Sequence, residues 1–407
     1  MNLKTIFAIL LLSTFFTGSK AQTDSFRIIG YVPNWIDVNA FTQNFDFKQV
    51  THINYAFQNP DASGNLYESN VGLPALVAKA HLNNVKVLVS IGGGSAADGT
   101  VKTNFQNQIT TAEKRAAFIH KIAIYLKTYK LDGLDVDEEG PAINSNYGTF
   151  IKQLADSLKP KGLLLTTAVG WGNENIPNSA FQYFDWVNLM AYDYTGNWDQ
   201  TRPGQHSPYW YAQKMITDFK KRGVKKEQLC LGVPFYGYGF YKIPGSYNYF
   251  DILKRYPDAW QKDQVGDTIY YNGMTTIWKK TRLALSDASG VMIWELSNDV
   301  KGEHSLLKVI SGTVDSLETS AINLNKPGSL KIYPNPAGDE LFIENFASAQ
   351  RSSVEVINLL GERIKTLKPE SMNGQSARFD ISTLSKGAYI CLVTFHEGVC
   401  SKLFVKD

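Results

Sequence analysis

Cysteine is scarce: Cys230, Cys391 and Cys400 are the only three in 407 residues. That excludes the dense disulfide framework that holds small exported domains together. Cys391 and Cys400 flank a turn at His396-Glu397-Gly398, but in a hairpin Cys391 should face a residue near Leu403 or Phe404. The two thiols are then out of register, and all three cysteines are expected to serve as packing residues. None stands in a histidine-paired or helix-start context, which argues against a thiolate nucleophile. A one-sided charge is missing too: 41 Lys and Arg against 38 Asp and Glu leave +3, too little for a nucleic-acid footprint. After the N-terminus no segment is long and apolar enough to span a bilayer. There is no internal repeat, no low-complexity tract and no dinucleotide loop, since "SIGGGSA" (Ser90 to Ala96) lacks the G-x-G-x-x-G spacing.

What is present points to a large globular protein. Hydrophobic residues make up 43% and charged residues 19%, a balance that buries a sizeable core, and the chain is long enough for two domains. Aromatics reach 13%, with eight Trp and 21 Tyr, and flat aromatic faces are surfaces on which sugar rings stack, although most aromatics fill cores. The opening "MNLKTIFAILLLSTFFTGSKAQ" sets Lys4 before an apolar run from Ile6 to Phe16 and a small-x-small pattern at Ser19-Lys20-Ala21. Residues 1–21 are therefore expected to be a signal peptide; the run is shorter than a membrane anchor requires.

From Ser25 to about Leu317, short β-branched runs alternate with helical patterns, the mark of β-α units around a parallel sheet. Eight strand candidates can be counted: Phe26 to Val32, Val50 to Phe57, Val85 to Gly92, Leu131 to Glu138, Gly162 to Val169, Asp185 to Tyr192, Leu229 to Phe235 and Gly290 to Leu296. Eight is the closure number of a TIM barrel, so the expected fold is α/β, a (β/α)8 barrel over residues 25–317. An open doubly wound sheet would have fewer strands and a phosphate loop. Between the strands lie amphipathic segments such as Thr111 to Tyr129, with Ala117, Ile119, Ile122, Ala123 and Leu126 on one face.

"LDGLDVDEEG", Leu131 to Gly140, crowds five acids into a run that otherwise reads as a core strand. Side chains alternate along a strand, so Asp135, Asp137 and Glu139 face one way and Leu134 and Val136 the other. In a closed barrel the apolar pair faces the helices, which leaves the three acids inside, at the C-terminal end where such barrels place their active sites. Crowded carboxylates cannot all ionise, and at least one is expected to stay protonated near neutral pH. A protonated carboxyl beside an ionised one is what glycosidic bond cleavage requires, with Glu139, nearest the mouth, as proton donor. Glu138 has the opposite parity and should point elsewhere. A solvated charged face, a buried structural acid network and a calcium loop over Asp135 to Gly140 are the competing readings; the loop would need Glu where Asn146 stands.

"DGLDVDEE", Asp132 to Glu139, resembles the D-G-x-D-x-D-x-E signature of family 18 glycoside hydrolases, the chitinases and endo-β-N-acetylglucosaminidases. It is joined by "VSIGGG" (Val89 to Gly94), "MAYDY" (Met190 to Tyr194) and "MIWEL" (Met292 to Leu296), similar to the family's third, sixth and eighth strands. The resemblance implies hydrolysis of β-1,4-linked N-acetylglucosamine with retention, in which the substrate's own acetamide is the nucleophile. It implies Glu139 as acid and then base, Asp137 orienting the acetamide, Asp135 sharing a proton with Asp137, and Tyr192 bonding the acetamide oxygen. Asp193 and Met190 would line the reacting sugar's subsite and Trp294 would be its floor. Trp35, Trp171, Trp198 and Tyr236, at strand ends, are candidates for further subsites or for packing. No cofactor or metal is implied, and a monomer is expected. The chain departs from the family pattern at Glu138, where Trp is common, at Tyr238, where Arg is common, and in a short segment between strands seven and eight, Gly237 to Ser289. These departures leave open an N-glycan substrate and, as a further class, a silent chitin lectin, although the lectins typically lack the acid at Glu139.

After Leu317 the texture changes. Residues 318–328 read as a polar linker, and 329–407 as a small β-sandwich of short alternating strands divided by Gly, Pro and Asn turns. "KIYPNPAGDELFI" (Lys331 to Ile343), "INLLGERI" (Ile357 to Ile364), "FDISTLSKGAYICLV" (Phe379 to Val393) and the basic ending Lys402 to Lys406 resemble the sorting domain of type IX secretion substrates of the Bacteroidetes. That implies the secretion machinery as a partner and a secreted or cell-surface enzyme, with removal of this domain on export. A carbohydrate-binding sandwich is the other reading, without an exposed row of Trp to support it.

Overall fold

The computed structural model describes residues 26–66, 71–96, 99–170, 175–323, 331–344, 353–358, 363–373, 376–395 and 398–407. The proposed signal peptide lies outside the described residues. Among them, no helix is long and apolar enough to cross a membrane.

Seven parallel strands come first: β1 (Arg27–Pro33), β2 (His52–Ala56), β3 (Lys86–Gly92), β4 (Gly133–Asp137), β5 (Leu164–Val169), β6 (Trp186–Leu189) and β7 (Leu229–Pro234). An inserted antiparallel sheet follows, made of β8 (Tyr236–Gly239), β9 (Gly245–Asn248), β10 (Gln264–Val265) and β11 (Ile269–Tyr270). The eighth barrel strand is β12 (Gly290–Trp294), and its pairing with both β7 and β1 closes the cylinder. All eight expected strands are there, most of them trimmed by a residue or more at an end. The inserted sheet was not anticipated, because its strands of two to four residues are too short to show a period.

Alternation along these strands sorts the side chains into two layers. Ile28, Ile53, Val87, Val89, Leu134, Val136, Leu165, Val187, Leu231 and Val291 face outward and join one apolar cluster with the helices. The inward set is mixed: Ile29, Tyr31, Leu88, Cys230 and Met292 sit with the buried polar residues Asn54, Ser90, Asp135, Thr166 and Asn188. The helix Ala112–Tyr129, capped by the Thr111 hydroxyl on the Lys114 N–H, shows how the outer layer is made. Its buried stripe is Phe118, Ile119, Ile122, Tyr125 and Leu126. Ala117, expected inside, is exposed: Phe118, one position on, fills the interface by stacking on Phe150, with centroids 5.7 Å apart. A large ring outcompetes a methyl for the same space.

The last helix, Leu306–Asn323, runs through the first part of the stretch that reads as a linker, so residues 318–323 are helical; residues 324–328 are outside the described set. The tail forms two four-stranded sheets. One is β13 (Lys331–Tyr333), β14 (Glu340–Glu344), β17 (Ser371–Asn373) and β18 (Ser376–Asp380); the other is β15 (Ser353–Asn358), β16 (Arg363–Leu367), β19 (Gly387–Phe395) and β20 (Gly398–Lys406). They enclose an apolar core that includes Leu341, Ile343, Val356, Phe379, Val393 and Phe404. Cys391 is buried there and pairs across the ladder with Lys402, one residue from the expected position, while Cys400 pairs with Val393. The thiols are out of register as expected. Cys230 is buried inside the barrel, and the side chain of Cys400 is outside the description.

Candidate active site

β4 enters the barrel interior with Asp135 at its middle, and that carboxylate is fully buried. Four donors from other strands converge on it. The Tyr31 hydroxyl (2.6 Å) and the Ser90 hydroxyl (2.8 Å) bond Oδ2, and the Thr166 hydroxyl (2.5 Å) and the Asn188 amide (3.4 Å) bond Oδ1. Burial pushes the Asp135 carboxyl upward from its ordinary range, and these hydrogen bonds pull it back.

One step toward the mouth, Asp137 is also buried, but its Oδ1 has no partner. Burial, then the charges of Glu139, Asp135 and Glu138, holds it well above the usual carboxylate range, which favours its protonated form within this group. The end of β3 makes this proximity possible. Gly92 has φ +104°, and a Cβ there would fall 2.1 Å from the Asp137 carbonyl oxygen; the Gly93 N–H donates to that same oxygen at 2.7 Å. Only glycine combines that backbone with so close an approach.

Glu139 follows at the rim, half-buried. Burial first, and then the charge of Asp193, pushes it up to about 7, which is the region a proton donor at neutral pH needs. Glu138 takes the opposite parity, as expected. It is fully buried in the helix layer, where the neighbouring Tyr147 feels its charge, and burial followed by Glu139 pushes it up to about 8.

The other wall comes from the segment that follows β6 and from the start of β8. Tyr192 is buried, with its hydroxyl 3.7 Å from the Met292 sulfur. Burial and then the charges of Asp137, Asp193, Glu139 and Asp135 hold its phenol well above the ordinary range, so it remains a donor surrounded by carboxyls. Asp193 has a left-handed backbone, φ +59°, which turns it out of the strand direction. Its Oδ1 accepts from the Tyr236 hydroxyl (2.5 Å) and lies 3.3 Å from His206 Nδ1. Met190 is half-buried in the interior cluster.

Trp294, at the end of β12, forms an aromatic floor with Tyr31 (5.3 Å between centroids), Phe57 (5.7 Å) and Trp35 (6.3 Å). Trp35 is 63% exposed and Trp198 is 62% exposed, both on the rim and Trp198 edge-on to Tyr238. Tyr236 is buried and bonded to Asp193, so it is a packing and positioning residue and not an open platform. Trp171 lies outside the described residues. A cavity of about 530 Å³, lined by Trp35, Asp193, Tyr236, Tyr238, Asn248 and Trp294 among others, adjoins these groups.

The expected acids, Tyr192, Asp193 and Trp294 are thus brought to one end of the barrel. Tyr31, Thr166 and Asn188 were not anticipated, because their relation to Asp135 spans 31 to 104 residues of sequence. His206 was not singled out either: a lone histidine in a loop carries no periodic signal.

An eight-stranded barrel with stacked carboxyls at its C-terminal mouth and a tryptophan floor defines the class, a glycoside-hydrolase barrel. Residues 27–299 match the family model of the glycosyl hydrolases family 18. The chain belongs to that family. Residues 331–407 match the secretion system C-terminal sorting domain, which marks the chain for export to the cell surface or beyond. Among solved structures, the GH18 chitinase ChiB from the chitin utilization locus of Flavobacterium johnsoniae is 35% identical with a TM-score of 0.67, over 72% of this chain and 96% of that one. A chitinase from Bacteroides thetaiotaomicron is 29% identical with a TM-score of 0.64, over 71% and 96%. Probable chitinase 2 of Drosophila melanogaster is 27% identical over 263 residues, 54% of this chain, which spans 52% of that relative's length.

Proposed function

We propose that this chain is an exported hydrolase of β-1,4-linked N-acetylglucosamine, acting on chitin or chitooligosaccharides by substrate-assisted retaining catalysis. The observation that carries the reading is the placement of Asp137 and Glu139 on one strand end, on the same side of any bound sugar. Two carboxyls so placed cannot flank the ring from opposite faces, and family 18 is a recognised exception to the two-carboxylate scheme. The substrate's acetamide oxygen then takes the nucleophile's part.

Glu139 donates its proton to the glycosidic oxygen as the C1–O bond breaks, and the acetamide oxygen closes on C1. Asp137, whose Oδ1 lacks a protein donor, accepts the acetamide N–H and stabilises the positive charge of the oxazolinium ion. Asp135 exchanges a proton with Asp137 and so sets its charge. Tyr192 holds the acetamide oxygen, Asp193 and Met190 line the subsite, and Trp294 carries the sugar face. The Glu139 carboxylate then takes a proton from water, whose oxygen attacks C1 as the bond from C1 to the acetamide oxygen breaks, which regenerates the N-acetyl group and the β-anomer. Trp35 and Trp198 extend the platform to neighbouring sugars. Catalysis is assigned to residues 25–317, and residues 329–407 engage the type IX secretion machinery.

The two bacterial solved relatives are chitinases, which supports chitin over an N-glycan. Incubation with chitooligosaccharides and, separately, with a high-mannose glycoprotein, followed by NMR of the first product, tests this. Cleavage of the oligosaccharide to a β-anomer is expected; glycan release without oligosaccharide cleavage would overturn it.

A further inference from the structure

His206 stands on the loop between β6 and the helix Tyr209–Lys221, and its side chain has no exposed surface. Its ring lies between Tyr236 (4.9 Å between centroids) and Tyr238 (5.0 Å). One ring nitrogen, Nδ1, faces the Asp193 carboxylate at 3.3 Å; the other, Nε2, faces the backbone carbonyl of Tyr236 at 3.2 Å. A carbonyl oxygen accepts only, and so does an ionised carboxylate. A neutral imidazole carries one N–H and would leave one of the two contacts acceptor against acceptor, around a ring that is itself fully buried.

The loop is fixed to the segment it serves. The Ser207 hydroxyl donates to the Ala191 carbonyl at 2.6 Å, and the Tyr194 N–H donates to the His206 carbonyl at 2.9 Å. The residues on both sides of Tyr192 and Asp193 are therefore tied to His206 itself and to Ser207 beside it. Behind them the buried Lys280 ammonium donates to the Ser207 carbonyl (2.6 Å), the Ser207 hydroxyl (2.6 Å) and the Asn272 side chain (2.7 Å). The groups that face the ring are thus Asp193, the phenols of Tyr236 and Tyr238, Lys280 beyond Ser207, and Glu139 beyond Asp193.

We propose that His206 is a positioning residue, bound as an imidazolium that donates from both nitrogens, orients the Asp193 carboxylate and partly cancels its field at Glu139. The proposal rests on Glu139 being the proton donor. The sign follows from the charges. Asp193 raises the Glu139 carboxyl, so removing the cation that offsets Asp193 raises it further and lets the donor keep its proton to higher pH.

His206→Gln tests this, since it supplies hydrogen bonds without charge. The expected result is a fall in kcat/KM of ~10-fold near pH 6, with the basic limb of the pH profile moving upward by about half a unit or more. A uniform loss with the limb unmoved would mean that His206 only supports the fold, and would overturn the proposal. Nitrogen-15 NMR of the histidine rings of the wild-type chain, with the His206 signals assigned from their loss in the variant, should show both ring nitrogens protonated near pH 6. A neutral His206 ring there also overturns it. Should His206→Gln not fold, Asp193→Asn provides both assignment and test: the His206 signals should shift toward the neutral form at that pH, and unchanged signals would count against the bridge. Wild-type inactivity on every N-acetylglucosamine substrate would sink the proposed reaction, while the NMR would still decide the bridge.

Discussion

The barrel and the tail sandwich are both β-structures whose alternate side chains turn inward, yet they fill the inside differently. The sandwich packs Leu341, Ile343, Val356, Phe379, Val393 and Phe404. The barrel packs Asp135, Asp137, Asn54, Ser90, Thr166 and Asn188 among its apolar groups. Buried carboxyls cost several kcal/mol each unless they are bonded or neutralised. Among the described residues the buried acids of this kind lie in the barrel core and not among the residues that fill the sandwich.

The contrast can be broken at several points. Glu139→Gln should lower kcat by three orders of magnitude or more, with substrate binding largely kept, measured by steady-state kinetics and titration with a chitooligosaccharide. Wild-type-like turnover in that variant would remove the proton-donor assignment. Asp137→Asn should reduce kcat by ~100-fold or more and weaken a thiazoline analogue of the oxazolinium ion; undiminished inhibition would contradict its role. In the sandwich, Phe379→Ala should destabilise that unit by about 3–5 kcal/mol and reduce export, while purified barrel activity stays unchanged. An equal loss of hydrolysis would show that the two cores are not independent.

Glu138 sharpens the comparison within the barrel itself. Its folded-state carboxyl is raised to about 8, so the folded chain holds this proton more tightly than the unfolded one. The stability it contributes is complete at low pH and is lost as pH rises toward and through 8. Glu138→Gln should therefore leave stability near pH 5 nearly unchanged and increase it near pH 9 by several kcal/mol, read as a higher melting temperature at that pH. A variant melting with the wild type at both pH values would mean that Glu138 ionises freely. The smallest effect is expected at the rim, where Trp35→Ala should raise KM for long oligosaccharides several-fold with kcat nearly unchanged.

The legible parts were those written in neighbouring residues. Eight β-branched runs and the parity that sends Asp135 and Asp137 inward and Glu138 the other way follow from local rules. The illegible parts needed contacts across the fold. Ala117 and Phe118 compete for one interface, and only the position of Phe150 decides between them. Residues 318–323 are polar enough to read as linker, yet they continue the helix Leu306–Asn323.

The linear order of residues by itself determined the eight barrel strands, the change to a β-rich tail and the concentration of acids at the end of β4, because alternation and turn chemistry act over a few residues. The tertiary structure alone decided which acid is satisfied and which is not. Asp135 meets four donors delivered by β1, β3, β5 and β6, whereas Asp137 Oδ1 meets none. The desolvation and field that separate two identical side chains come from strands brought together only when the barrel closes.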